Sequence, residues 1–183
     1  VINDFDKELI NFYRVVSNNT KHLIELINEA KNRNGNHDEM ETLYYECRDG
    51  FNSEKETCNI TRAFNFLYVN QLSFSGMRRF NSKGEFNVPF GHYKSFNPKI
   101  TNDHVRLLQN TEIRNEDSLK LIPRLDEEKT FIFLDPPYTR VFKKYSADND
   151  FGEEEQYKLY DILSSIRKAK WMLVIDYSDF IKD

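Results

Sequence analysis

Phe131-Ile132-Phe133-Leu134 is a short, unbroken apolar run that ends at Pro136-Pro137. A run of this length bounded by prolines suits a buried strand of a parallel sheet better than a helix. Downstream, Gln156 to Ile166 carries apolar residues at helical spacing after the acidic first turn Glu153-Glu154-Glu155. Trp171-Met172-Leu173-Val174-Ile175 then reads as a second buried strand. Strand, helix, strand in this order predicts a βαβ unit and commits the carboxyl-terminal part of the chain to an α/β architecture.

The preceding part has a different period. Asp6 to Val16 places Leu9, Ile10, Phe12, Tyr13 and Val16 on one helical face, and His22 to Ala30 repeats the pattern. Met40, Leu43, Tyr44 and Cys47 predict a third helix, and Ile60 to Val69 a fourth, more buried one. Residues 17–69 therefore predict a small helical bundle.

That bundle leads into a basic island. In residues 70–99, Arg78, Arg79, Lys83, Lys94 and Lys99 stand against Glu85 alone, a net +4 within a total of −4, which leaves −8 elsewhere. Phe74, Phe80, Phe86, Phe90, Tyr93 and Phe96 are interleaved with these cations, and Gly76, Gly84 and Gly91 fall in the same stretch. Cations, flat aromatic faces and turn residues together suit a hairpin surface that meets phosphates and bases. Asn81-Ser82-Lys83-Gly84 is its turn signal. A decorated hairpin without a ligand satisfies the charge pattern equally well. No apolar run approaches the ~20 residues of a membrane helix. Cys47 and Cys58 have neither metal spacing nor a secreted framework, so the expectation is a cytoplasmic protein with reduced thiols and no metal.

The chemistry lies in Asp135-Pro136-Pro137-Tyr138, directly after the first apolar run. The carboxyl end of a parallel strand is where α/β sheets bind ligands. The prolines fix the backbone and remove two donors, so the Asp135 carboxylate and the Pro136 carbonyl can both accept from one incoming amine. An exocyclic amine on an aromatic base is a poor nucleophile, because its lone pair is delocalised into the ring. Two acceptors on its hydrogens draw the nitrogen toward tetrahedral geometry, and Tyr138 offers a face on which the base stacks. A strand-to-loop turn capped by the aspartate is the plain alternative.

Asp-Pro-Pro-Tyr after a strand resembles the catalytic motif of the DNA adenine methyltransferases. Arg62-Ala63-Phe64, Leu67-Tyr68-Val69-Asn70, Phe74 to Asn81 and above all Gly84-Glu85-Phe86-Asn87-Val88-Pro89-Phe90-Gly91-His92-Tyr93-Lys94 resemble the target-recognition region of the Dam-type (D12 class) enzymes. Asn3-Asp4-Phe5-Asp6 with Leu9-Ile10 resembles the segment where an acid binds the ribose of S-adenosylmethionine. The resemblance implies a partial Rossmann-like methyltransferase fold. Its catalytic core would be residues 1–16 and 111–183, with a mainly helical target-recognition insert, residues 17–110, carrying a β-hairpin over 74–96.

Carried over by position, the resemblance implies a role for each of several residues. Asp4 would bind the cofactor ribose and Phe5 flank its adenine. Asn115, Glu116 or Asp117 would contact the cofactor at the next strand end. Asp135, Pro136, Pro137 and Tyr138 would grip a flipped adenine, with Asp135 also bordering the cofactor. Arg79 would read a guanine bidentately, beside Ser75 and Met77, where relatives carry Asn and Leu. Tyr93 and Lys94 would face DNA, Lys94 at a phosphate. Arg78, on the alternate face, would be solvated or touch the DNA backbone. The cofactor would be S-adenosylmethionine and the partner double-stranded DNA, with a cognate restriction endonuclease left open and GATC the first target to consider.

The family's Phe-x-Gly-x-Gly cofactor loop does not precede Asp4, and the final sheet strands do not follow residue 175. The expectation is an internal fragment of a longer catalytic domain, inactive alone. An RNA adenine methyltransferase shares the tetrapeptide without the basic hairpin, and a DNA-binding fragment without catalysis is the remaining alternative.

Overall fold

The first strand, β1 (Ile2–Asn3), pairs in parallel with β2 (Ile113–Arg114), Ile2 opposite Ile113 and Asn3 opposite Arg114. The computed structural model describes residues 1–53, 59–137 and 151–175. They fall into two units, Val1–Asn115 and Glu116–Asp183.

In the first unit Asp6 starts α1 (Lys7–Asn18), its Oδ1 accepting from the backbone N–H of Glu8 at 2.9 Å and of Leu9 at 3.4 Å. Three further helices follow: α2 (Thr20–Lys31), α3 (His37–Asn52) and α4 (Asn59–Leu72). Each buries the stripe that its spacing predicts: Leu23, Ile27 and Ala30 on α2, and Met40, Tyr44, Cys47 and Phe51 on α3. The centre is α4, which buries Ala63, Phe64, Phe66, Tyr68, Val69 and Leu72 and touches α1, α2 and α3. A short helix, α5 (Asn102–Gln109), packs on α1 behind a Thr101/His104 capping box. Each fully buried large side chain contributes about 1.5–3 kcal/mol. Buried hydroxyls find carbonyl partners: Tyr44 donates to Val88 at 3.0 Å and Tyr68 to Met40 at 3.4 Å. Burial raises both phenols, that of Tyr44 to about 12, and pushes the Cys47 thiol up to about 12.

The predicted hairpin is not a ladder. Only two isolated antiparallel bridges occur among the described residues there, Phe80 with Phe86 and Ser73 with Phe90. Side-chain amides from α3 and from the turn between α2 and α3 take the hydrogen bonds a neighbouring strand would take. Asn52 accepts from Phe86 N–H at 2.7 Å and donates to its carbonyl at 2.9 Å. Asn34 does the same for Phe96, at 2.8 and 3.2 Å. Phe86, Val88, Phe90 and Phe96 are thereby sunk into the helical core. The predicted turn is present. Asn81 Oδ1 accepts from Lys83 N–H at 2.9 Å and Glu85 N–H at 3.0 Å, and Gly84 takes φ +78°.

The second unit begins with α6 (Ser118–Leu121) and a 3-10 turn (Ile122–Leu125), then β3 (Phe131–Leu134), α7 (Glu153–Ser165) and β4 (Lys170–Leu173). β3 and β4 are parallel, with Ile132 opposite Trp171 and Leu134 opposite Leu173, as the βαβ pattern predicts. Burial of both faces is not observed. Ile132 packs with Ile122, Leu159 and Leu163, while Phe131 and Phe133 are 61% and 60% exposed. Successive side chains alternate across a strand, and among the described residues α7 and the 3-10 turn cover only the Ile132 face. The start of β4 is held by Asp126, whose carboxylate accepts from the N–H groups of Arg167, Lys168 and Ala169 at 3.0, 2.7 and 2.8 Å. No described helix is long and apolar enough to cross a membrane.

Candidate functional site

The end of β1 is built to present Asp4. Its half-buried carboxylate accepts from Asp6 N–H at 2.8 Å through Oδ1, which fixes it at the strand end and leaves its second oxygen as an acceptor. Asn115, just past β2, donates through Nδ2 to the carbonyls of Asp4 (2.8 Å) and Phe5 (3.0 Å) and so clamps the two parallel strand ends together. Phe5 is 45% exposed, an apolar face beside an acid. The phenol of Tyr13 is raised by burial and then by the negative charge of Asp4. A fixed carboxylate next to an open aromatic face suits a ribose with an attached base.

The exposed loop after α4 hangs between two anchors. Phe74 N–H donates to Pro89 carbonyl at 2.9 Å and Gly91 N–H to Leu72 carbonyl at 2.8 Å. Gly91 sits at a close approach: a Cβ there would meet the Tyr93 ring at 2.4 Å and the Ser73 backbone carbonyl at 3.0 Å. Ser75 (φ +55°) and Gly76 (φ +64°) both take left-handed backbone, which turns a 3-10 turn over Phe74–Gly76 outward. Phe74, Ser75, Met77, Arg79, Tyr93 and Lys94 are all exposed. The Arg79 guanidinium is braced by Asn87, Nε to Oδ1 at 2.9 Å and Nη2 to the carbonyl at 3.4 Å. His92 stacks on His37, ring centroids 5.0 Å apart, with Nδ1 2.8 Å from Nε2 of His37. Arg78 is exposed, as its strand alternation suggests, with its side chain 31% exposed, and its guanidinium also pairs with Asp6.

In the second unit, Asp135, Pro136 and Pro137 follow β3, with Asp135 exposed and both prolines half-buried. Gln156 of α7, itself buried, donates through Nε2 to the Pro137 carbonyl at 3.2 Å. Tyr138 lies outside the described residues. Asp117 caps α6 through Leu119 N–H at 2.9 Å, and Glu116 pairs with Arg124.

Across its whole length, residues 1–183, the sequence matches the family model of the D12 class N6 adenine-specific DNA methyltransferases. The chain belongs to this family. It is 32% identical over 192 residues to the type II methyltransferase M.MjaIII of Methanocaldococcus jannaschii, covering 97% of this chain and 65% of that protein. It is 32% identical to the type II methyltransferase M.CviBI of Paramecium bursaria Chlorella virus NC1A, covering 100% and 66%. To the DNA adenine methylase of Escherichia coli K12 it is 31% identical, covering 98% and 64%. The chain thus spans somewhat under two thirds of the length of these curated relatives.

A D12-class chain implies a methyl donor, and the Asp4–Phe5 strand end has the chemistry to take part in holding one. Among the described residues no cluster of three or more His, Cys, Asp or Glu is placed to hold a metal ion. Sequence reasoning missed Gln156, although a polar residue on the same α7 face as Leu159 and Leu163 is a readable signal. It missed the Arg78–Asp6 pair, for which local sequence offers none.

Proposed function

We propose that the protein is a site-specific DNA adenine methyltransferase that uses S-adenosylmethionine, with a Rossmann-like core of residues 1–16 and 111–183 and a target-recognition insert of residues 17–110. The observation that carries the reading is the Asp135-Pro136-Pro137 turn at the carboxyl end of a parallel strand, with its Pro137 carbonyl tied to Gln156. S-adenosylmethionine, when bound, supplies an electrophilic methyl on a sulfonium. Asp4 would hold its ribose and Phe5 its adenine, and Asp117 and Asp135 are the further residues expected to contact it. The Asp135 carboxylate and the Pro136 carbonyl accept the two hydrogens of a flipped adenine's amine and free its lone pair, while Tyr138 stacks on the base. The methyl would pass directly from sulfur to that nitrogen, breaking the S–CH3 bond as the N–CH3 bond forms and leaving a thioether, with no covalent link to the protein. The surplus amine proton would pass to solvent.

Ser75, Met77 and Arg79 project from the exposed loop for base reading, and Tyr93 and Lys94 for contact with the strand backbone. The basic loop, which RNA adenine methyltransferases sharing the tetrapeptide lack, favours DNA over structured RNA as the substrate. The type II names of two relatives support a place in restriction-modification, with a cognate endonuclease as the partner. GATC is the first duplex to test.

Transfer of labelled methyl to duplexes with and without GATC, by the full-length protein, tests the reading. Asp135→Ala is expected to lower turnover by about 10²–10³-fold, the usual loss for a group acting in the transition state, while duplex binding changes less than about twofold. Binding without any transfer by the wild type makes this a DNA-binding protein, and transfer to RNA alone makes it an RNA enzyme.

A further inference from the structure

Arg78, exposed like Met77 and Arg79 beside it, lays its guanidinium against the fold. Its guanidinium lies 5.3 Å from the Phe66 ring centroid and 5.7 Å from that of Phe80. Nη1 is 2.5 Å from Asp6 Oδ2, with the Asp6 side chain only 15% exposed. This contact gives the otherwise unpartnered, buried Oδ2 its counter-charge. The same Asp6 caps α1 with its other oxygen and donates its own N–H to Asp4 Oδ1 at 2.8 Å. One ion pair therefore joins the loop that carries Ser75, Met77 and Arg79 to the strand end that carries Asp4.

We propose that Arg78 is a positioning residue that couples target reading to methyl-donor binding. It touches neither ligand. It fixes Asp6, Asp6 fixes the Asp4 carboxylate, and loop and strand end hold one arrangement together. A duplex that orders the loop thereby tightens the donor site, and by linkage the donor tightens the duplex by the same factor. The inference rests on the function proposed above.

The test measures the dissociation constant of S-adenosylmethionine for the full-length protein, alone and with saturating target duplex. In the wild type, duplex is expected to tighten the donor about tenfold, within the usual range for coupled sites. Arg78→Met is expected to weaken donor binding about tenfold and bring the effect of duplex to within twofold. Asp6→Asn keeps a capping oxygen but loses the charge and is expected to behave alike. The double variant should be no weaker than either single one, because both remove the same link. Arg78→Lys should recover part of the loss, and Arg79→Ala should weaken the duplex while leaving its effect on the donor intact. Amide exchange at Glu8 and Leu9, faster in both single variants of the ligand-free protein, reports the link independently of either ligand. Asp6→Asn carries the test if Arg78→Met does not fold. Unchanged constants in the variants, multiplicative losses in the double, or a wild-type constant indifferent to duplex overturn the inference alone. A wild type that binds neither ligand overturns the proposed function, and this inference with it.

Discussion

Among the described residues, the core of Val1–Asn115 gathers nineteen buried residues around α4, eight of them Phe or Tyr, whereas the core of Glu116–Asp183 gathers four. The first unit holds its functional loop by sinking the neighbouring Phe86, Val88, Phe90 and Phe96 into that core. The second holds its functional turn and the start of β4 with single polar tethers, Gln156 to Pro137 and Asp126 to three backbone N–H groups. The loop proposed to read the target is thus set on apolar contacts, and the turn proposed to be catalytic relies on bonds that can be removed one at a time.

The comparison is most directly broken at its aromatic centre. Phe96→Ala, at a fully buried ring, is expected to cost about 3–5 kcal/mol in equilibrium unfolding, and Phe133→Ala, at a largely exposed ring, no more than about 0.5 kcal/mol. Equal losses would show that the two units do not differ in this way. The next effect belongs to the ion pair that ties α1 to α4. Arg62 meets Glu8 through two hydrogen bonds of 2.7 and 2.6 Å, with the Glu8 side chain 8% exposed. Arg62→Met strands that carboxylate and should cost about 3 kcal/mol, the low end for a broken buried pair because Arg62 keeps some solvent. Adding Glu8→Leu should restore much of the loss in urea unfolding.

Much of this division is legible in the amino-acid sequence. α1, α2, α3, α4 and α7 lie where apolar spacing puts them, because each buries one stripe on one core. α5 escapes such a reading because it is short and presents only Val105 and Leu108 to the core. The hairpin ladder is mispredicted because Asn34 and Asn52, distant in sequence, supply bonds that a partner strand would otherwise supply. The exposed faces of β3 and β4 are mispredicted because an apolar run reports what a strand can bury and not what covers it. In the candidate site, Asp4 and the Asp135 turn are marked by their positions after strands. The partners of Asn115 and Arg78 are not, because each contact lies far along the chain.

Proton linkage sharpens the contrast from the alkaline side. The Cys47 thiol rises from 9.0 to about 12 through burial. The unfolded chain therefore loses this proton from about pH 9 upward while the folded chain keeps it. Stability should fall as pH rises from about 9 toward 12, by up to about 1.4 kcal/mol per pH unit for this group. Tyr44, raised from 10.0 to about 12, joins above pH 10. Urea midpoints at pH 9 and 10 check the sign, and Cys47→Ala should flatten that interval.

The smallest effect is expected in the second unit and at the acid end. Asp126 is held below the ordinary carboxylate range by the N–H groups of Ala169, Arg167 and Lys168. Its contribution is present above the unfolded pKa and disappears as pH falls through the lowered folded value. Asp126→Asn keeps one acceptor but loses the charge, so it should loosen the turn into β4 without touching α1–α4. Hydrogen exchange near neutral pH reads this residue by residue. Faster exchange at Arg167–Ala169 and along β4, with Tyr44 and Tyr68 amides unchanged, is the outcome that polar tethering demands. Uniform acceleration through both units would mean that Asp126 stabilises the whole chain, and that the second unit does not stand on its own tethers.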